Sequence, residues 1–355
     1  MRVNGNHSGV DRRTFLKSTA GVAGVGAFAG CTGGSGGSSS SGGSGEKPGA
    51  DGEMVMTTST ETTAAYAMSQ AIANAVNQNT DKIRVGARPS EGTNANIGRL
   101  ARQESDIAYI QNWTANKIAE GKGSFADLSY TPYQVFHLYD LAWFLASGND
   151  GWTSVTDISK DSRVSPTPRG SGTAEMLEHS LDYAVGDYER ISIKYGSQAS
   201  AMSSGRLDVG AATYVNLSVE PGWLQQMKGT VDLRVLGWPD DAVAKLEEDP
   251  AIILSDIDMS QFDGYGYTPE TLTTPTLAYN FVVRDDFSYD TLYTFLETLW
   301  AQREGLQEDN ALLGKLADGE FWTTNAYEGL PFHPAAADFY KEKGVWSDDL
   351  ERGKE

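Results

Sequence analysis

Gly170-Ser171-Gly172-Thr173, preceded by Arg169 and followed by Ala174-Glu175-Met176-Leu177, is the stretch of this chain best suited to hold a ligand. Val164 and Ser165 before it have the character of a short strand, which Pro166 and Pro168 end. The glycines permit a sharp turn and a close approach of backbone to ligand. Ser171 or Thr173 can cap a helix that carries Met176, Leu177 and Leu181 at helical spacing. A strand, a glycine turn and a hydroxyl-capped helix start aim free N–H groups and a positive dipole end at one point. That geometry suits a carboxylate or phosphate. It equally suits an ordinary strand-to-helix turn, so other segments must decide.

Three further polar segments stand directly after expected strands. They are Thr58 and Ser59; Ser90 with Gly92, Thr93 and Asn94; and Gln111 with Trp113. Tyr66 lies on the helix after the first of these, and Tyr214 follows a later strand. Any one such turn is more often a simple helix cap. Four at corresponding positions favour an uncharged pocket of donors for a small anion or zwitterion. Arg169 is as well placed to meet a ligand carboxylate as to be a surface charge, whereas Arg88 and Lys194 are expected to offset the acidic exterior.

Catalysis finds little support. His7 lies in the leader, and His137, His179 and His333 have no metal-ligand spacing. Gly170-Ser171-Gly172 is not the Gly-x-Ser-x-Gly elbow of hydrolases, and no phosphate-cradling Gly-x-x-x-x-Gly-Lys-Ser/Thr occurs. The pairs Asp240-Asp241, Glu247-Glu248 and Asp348-Asp349 are adjacent and expected to be solvated. No catalytic residue, metal or cofactor is expected. A secreted α/β enzyme of hydrolase type is the alternative class, and a histidine beside Ser171 would be its mark.

The elements that must position these turns alternate. Expected strands at residues 54–57, 83–87 and 107–110 are separated by helices, as in a parallel α/β sheet that binds ligands at its carboxyl edge. A second series has strands at 164–165, 191–193, 209–212 and 233–236, with helices at 197–204 and 223–227. Long apolar strands at 136–145 and 276–283 flank it, and helices at 289–302 and 334–343 close the chain. The pattern predicts a two-lobed clamp: residues 53–150 with 277–355 as lobe one, and 151–276 as an inserted lobe two.

Residues 1–31 are an address. Arg12-Arg13 within Asp11-Arg12-Arg13-Thr14-Phe15-Leu16-Lys17 is a twin-arginine export pattern, and the weakly apolar run that follows is too short to span a bilayer. It ends in Phe28-Ala29-Gly30-Cys31, which resembles a lipoprotein cleavage box. Cys31 is the only cysteine, so no intramolecular disulfide can form, and it is expected to carry the lipid. Residues 32–52 make a Gly/Ser-rich tether. The expected location is outside the cell, anchored to the membrane face through Cys31 after twin-arginine export. Net charge is −20, and −23 without the leader, with only 13 lysines. This balance argues against nucleic acid or an anionic lipid surface as partner and resembles the surfaces of halophilic proteins.

Thr57-Thr58-Ser59-Thr60, Ser90-Glu91-Gly92-Thr93-Asn94, Ser105-Asp106-Ile107-Ala108-Tyr109-Ile110-Gln111, Gly170-Ser171-Gly172-Thr173, Gly205-Arg206-Leu207-Asp208-Val209-Gly210 and Leu330-Pro331-Phe332-His333-Pro334 follow one another in an order that resembles the TAXI family, the extracytoplasmic solute receptors of TRAP transporters. The resemblance covers residues 53 to 345. It implies a type II periplasmic-binding-protein fold, a cleft between two lobes, a small carboxylate or amino acid such as glutamate or 2-oxoglutarate as ligand, and a TRAP-type permease as partner. Glu61-Thr62-Thr63 replaces the family's glycine-rich turn, and Thr213-Tyr214-Val215-Asn216-Leu217 lacks its usual Gly-x-Pro. Service to signalling or to another permease is the alternative among binding proteins.

Overall fold

The computed structural model describes residues 47–355 apart from Thr62 and Gly170. The leader, Cys31 and most of the tether lie outside the described residues.

The first series runs β1 (Glu53–Thr57), α1 (Ala64–Asn79), β2 (Arg84–Arg88), α2 (Thr93–Ala101), β3 (Ile107–Gln111) and α3 (Asn112–Ala119), then enters the long strand β4 (Pro132–Ser147). Local chemistry explains the boundaries. Thr63 caps α1 by accepting from Tyr66 N at 3.3 Å, and Met68, Ile72 and Val76 recur at helical spacing on its buried face. The Asn77 side chain bonds both Val85 N and Val85 O (2.8 and 2.7 Å), locking the end of α1 to β2. The second series comprises β5 (Arg163–Ser165), α4 (Gly172–Leu181), β6 (Glu189–Arg190), α5 (Gln198–Ser203), β7 (Val209–Val215), α6 (Gly222–Thr230), β8 (Arg234–Leu236), α7 (Asp240–Glu247) and β9 (Ile253–Asp258). The long strand β10 (Thr271–Arg284) follows, then α8 (Tyr289–Gln302), α9 (Leu306–Asp309) and α10 (Pro334–Lys343).

These strands form one mixed sheet whose two halves repeat the same order. In the first half, β2, β1 and β3 are parallel, β10 is antiparallel to β3, and β4 pairs with β10. In the second, β6, β5 and β7 are parallel, β4 is antiparallel to β7, and β8 pairs with β4. Each long strand serves both halves. The start of β4 pairs with β10 and its end with β7, while the start of β10 pairs with β9 and its end with β3. The α/β class expected from the sequence is what forms.

Alternation along β4 divides the core. Ala142, Phe144 and Ala146 join Tyr214, Leu224 and Met227, while Trp143 and Leu145 face the cluster that contains Val209 and Leu236. A third cluster packs Ile97 and Leu100 of α2 against Ile110 and Val282.

Some elements depart from the expectations. The strand placed at 191–193 forms at Glu189–Arg190, because its partner β5 stops before Pro166 and offers only Arg163 and Val164 for pairing. β7 continues through Val215 rather than ending at Ala212. Gln111 to Trp113 is not a loop: Gln111 ends β3 and caps α3, its Oε1 accepting from Thr114 N at 2.7 Å. α3, α7, β9 and α9 are not among the elements expected from the sequence.

His333 caps α10. Its Nδ1 accepts from Ala335 N and its Nε2 donates to Phe287 O, both at 3.2 Å, so the bonded ring is neutral. Burial, against a smaller opposing effect from the Phe287 carbonyl, holds its pKa down to about 4. The stability this provides is complete above the unfolded value of about 6.5 and is lost as pH falls toward 4, about 3 kcal/mol in all. Between pH 8 and 4.5, the parent is expected to lose about 2–3 kcal/mol more in guanidinium unfolding than His333→Gln. Parallel profiles would show that His333 is not responsible.

Candidate functional site

The first and second polar turns are stitched together. Ser90 Oγ and Asn96 Nδ2 both donate to Thr58 O, at 2.8 and 2.9 Å, and Ser90 N donates to Ser59 O at 3.0 Å. Thr58 and Ser90 are buried, and Thr58 Oγ1 lies 3.5 Å from Ser69 Oγ. Their polar atoms therefore build the turn, whereas Ser59 remains half-buried beside it. Gly92 opens α2 at φ +117°, a left-handed conformation suited to glycine, and no side chain caps this helix. Its first-turn residues Thr93 and Asn94 face Thr114 Oγ1 of α3, at 3.4 and 3.0 Å. Tyr66 is half-buried in the first turn of α1.

The third and fourth turns meet across the two halves of the sheet. Ser171 caps α4, its Oγ accepting from Ala174 N at 3.1 Å and lying 3.1 Å from Pro168 O and Thr167 Oγ1. A Cβ on Gly172 would fall 2.1 Å from Gln111 Nε2, so a side chain here would displace the Gln111 amide. Thr173 is buried beside it. Gly170 lies outside the described residues.

Three tyrosines expected only as members of apolar strands fill the centre. Tyr139 of β4 and Tyr279 of β10 are directly paired, and Gln111 of β3 opposes Tyr279 on its other side. Tyr109, two residues before Gln111, therefore falls on the same face. The Tyr139 and Tyr279 rings stack at 4.8 Å and 6°, and Tyr109 stacks on Tyr279 at 5.0 Å. The Tyr109 hydroxyl lies beside those of Ser59 and Tyr139, and that of Tyr279 beside Thr173. Burial pushes Tyr109 up to about 12 and holds Tyr139 and Tyr279 well above the ordinary value. Tyr195, pushed up to about 12 by burial, stands near Thr167 and 5.8 Å from the Trp143 ring. Trp143 Nε1 is buried with no hydrogen-bond partner among the described residues. All these groups remain neutral donors at ordinary pH. The signal available in the sequence was a tyrosine within each of three otherwise apolar strands.

Other expected site residues lie elsewhere. Tyr214 is fully buried on β7, stacked on Phe262 at 3.9 Å, with its hydroxyl 2.6 Å from that of Tyr265. Continuation of β7 turns it into the far core cluster, away from the turns. Arg169 is exposed, and its guanidinium reaches Arg190 O at 3.4 Å. Arg88 and Lys194 are also exposed. His179 sits in α4 as expected but bonds Asp249 Oδ2 at 2.6 Å rather than Ser171. The hydrogen bonds of the described residues include no Ser–His pair.

Trp113 lines a cavity of about 610 Å³ between α3, α4 and the loop after α7, with Lys117, Glu175, His179, Tyr183 and Asp249. Glu175 is half-buried. Burial would raise its carboxyl, but the Lys117 ammonium and the Trp113 N–H outweigh it and hold the group below the usual range.

A sequence profile of the NMT1-like family matches residues 56–344. The chain belongs to the NMT1-like family. Among solved structures, it is similar to the periplasmic aliphatic sulphonate binding protein SsuA from Escherichia coli. The identity is 13%, covering 81% of this chain and 82% of that one, with a TM-score of 0.43. It is also similar to the probable amino-acid ABC transporter extracellular-binding protein YtmK from Bacillus subtilis. There the identity is 12%, covering 78% of this chain and 99% of that one, with a TM-score of 0.44.

Gly172→Ala would force Gln111 out of its capping position. An overpacking cost of about 1–3 kcal/mol is expected in chemical unfolding. An unchanged midpoint would mean that the turns do not abut in solution.

Proposed function

We propose that the chain is an extracytoplasmic solute receptor of the TAXI type, which captures a small organic anion or zwitterion and passes it to a TRAP-type permease. The observation that carries this reading is the convergence of neutral donors from both halves of the sheet. Tyr109, Tyr139, Tyr279, Ser59 and Gln111 come from the first half and the two crossing strands, and Thr173 from the second. Membership of the NMT1-like family, the repeated strand order, and the leader with Cys31 and its tether agree with it.

The chemistry follows from charge and burial. A carboxylate placed among buried hydroxyls, the Gln111 amide and the uncapped start of α2 would exchange its water shell for fixed dipoles, without a cation in the site. The tyrosine faces would hold the carbon skeleton. Residues 53–150 with 277–355 act as one lobe and 151–276 as the other, and ligand bound to both favours closure by its higher affinity for the closed form. Glutamate and 2-oxoglutarate are the first candidates. Cys31 would carry the lipid that holds the receptor at the outer face of the membrane.

Native mass spectrometry of the purified protein is expected to show a bound small anion or amino acid, and the same compound should raise the melting temperature in high salt. Tyr279→Phe removes one donor and is expected to weaken that binding about tenfold or more. A broad panel of carboxylates and amino acids without a thermal shift would overturn the reading.

A further inference from the structure

Glu175 joins the two halves of the sheet at the edge of the site. It stands in the first turn of α4, in the second half, and its Oε2 accepts from two residues of α3 in the first. Trp113 Nε1 donates at 3.0 Å and Lys117 Nζ at 2.8 Å. Trp113 and Lys117 are four residues apart, so both leave the same face of α3. The Trp113 ring also packs against His179, one turn further along α4, at 5.1 Å. Side-chain exposures of 27% for Lys117 and 41% for Glu175 make this pair accessible to water, and hence reversible.

The position of the carboxylate gives the contact a consequence. Glu175 lies two residues beyond Thr173, the donor that the second half contributes to the proposed site. Unpaired, it adds a negative charge there; paired with Lys117, that charge is neutralised. The pairing requires α3 and α4 to meet. We propose that Glu175 is a clasp whose pairing with Trp113 and Lys117 holds the two halves together and couples closure to the removal of a repulsive charge from the site. It is a positioning residue. Its purpose rests on the solute-receptor reading, but the contact itself needs no solute.

The test uses the full chain with Cys31→Ser and spin labels at Lys82→Cys and Lys160→Cys, both exposed and on opposite halves. Distances are measured by pulsed electron resonance after dialysis against buffer free of small molecules. The parent is expected to show a dominant short distance. Glu175→Ala should raise the ratio of long to short distances about three- to tenfold, from the loss of two hydrogen bonds accepted by an ionised carboxylate. Glu175→Gln, which keeps an acceptor for Trp113, should have a smaller effect. Exchange of the charges, Glu175→Lys with Lys117→Glu, should recover part of the short population, which a merely destabilised fold would not do. A parent that is open throughout, an unchanged distribution in Glu175→Ala, or no recovery on charge exchange would each overturn the clasp. The receptor reading stands or falls separately, on the solute panel.

Discussion

The antiparallel pairing of β4 with β10 is the constraint on which the rest of this protein depends. Each strand is long enough to serve two half-sheets, and nearly every residue in both is buried. Their register places Tyr139 against Tyr279 and, through β3, Gln111 against Tyr279. Register errors would be costly here, because a shift of one residue turns every side chain to the opposite face. Buried amides hold the crossing: Asn280 Nδ2 donates to Gln134 Oε1 at 3.1 Å, and His137 Nδ1 lies 2.7 Å from Asn280 Oδ1. Two irregularities in the β4–β10 register flank these residues. A bulge re-aims side chains locally without ending the pairing, so the tyrosines and the amide network can share one crossing.

Charge is distributed in the opposite sense to what a strongly acidic chain would suggest. The exterior carries most of the net −20, yet the centre between the turns contains neutral hydroxyls, an amide and helix starts. Burial keeps the tyrosines protonated, and neutral donors in a low-dielectric site interact strongly with an anion without needing a counter-charge. Glu175, two residues beyond Thr173, is held by Lys117. Arg169 bonds a main-chain carbonyl at the surface.

Much of the fold was legible in the sequence because most of its elements have strong local signals. The bounds of α8 and α10 coincide with expectation, and of the two expected capping candidates, Ser171 and Thr173, Ser171 caps α4. α3 escaped because Asn112-Trp113-Thr114-Ala115-Asn116 has no apolar stripe; its cap is a glutamine, Gln111, which is not a usual capping residue. Tyr214 lies inside β7 because the strand runs three residues beyond the expected end at Ala212, and in a strand the side-chain direction alternates with every residue.

The sequence by itself determined the paired arginines at 12 and 13, the lone cysteine, the glycine- and serine-rich composition of residues 33–45, the acidic balance, the alternation of strands and helices, and the glycines on either side of Ser171. These are properties of composition and of short-range spacing. Tertiary structure decided which residues face one another. Tyr109, Tyr139 and Tyr279 lie on three strands distant in the chain, and only sheet register brings their rings to one face. Gly172 also takes its meaning from a distant residue: Gln111 occupies the space that a side chain there would need, and would have to move to admit one.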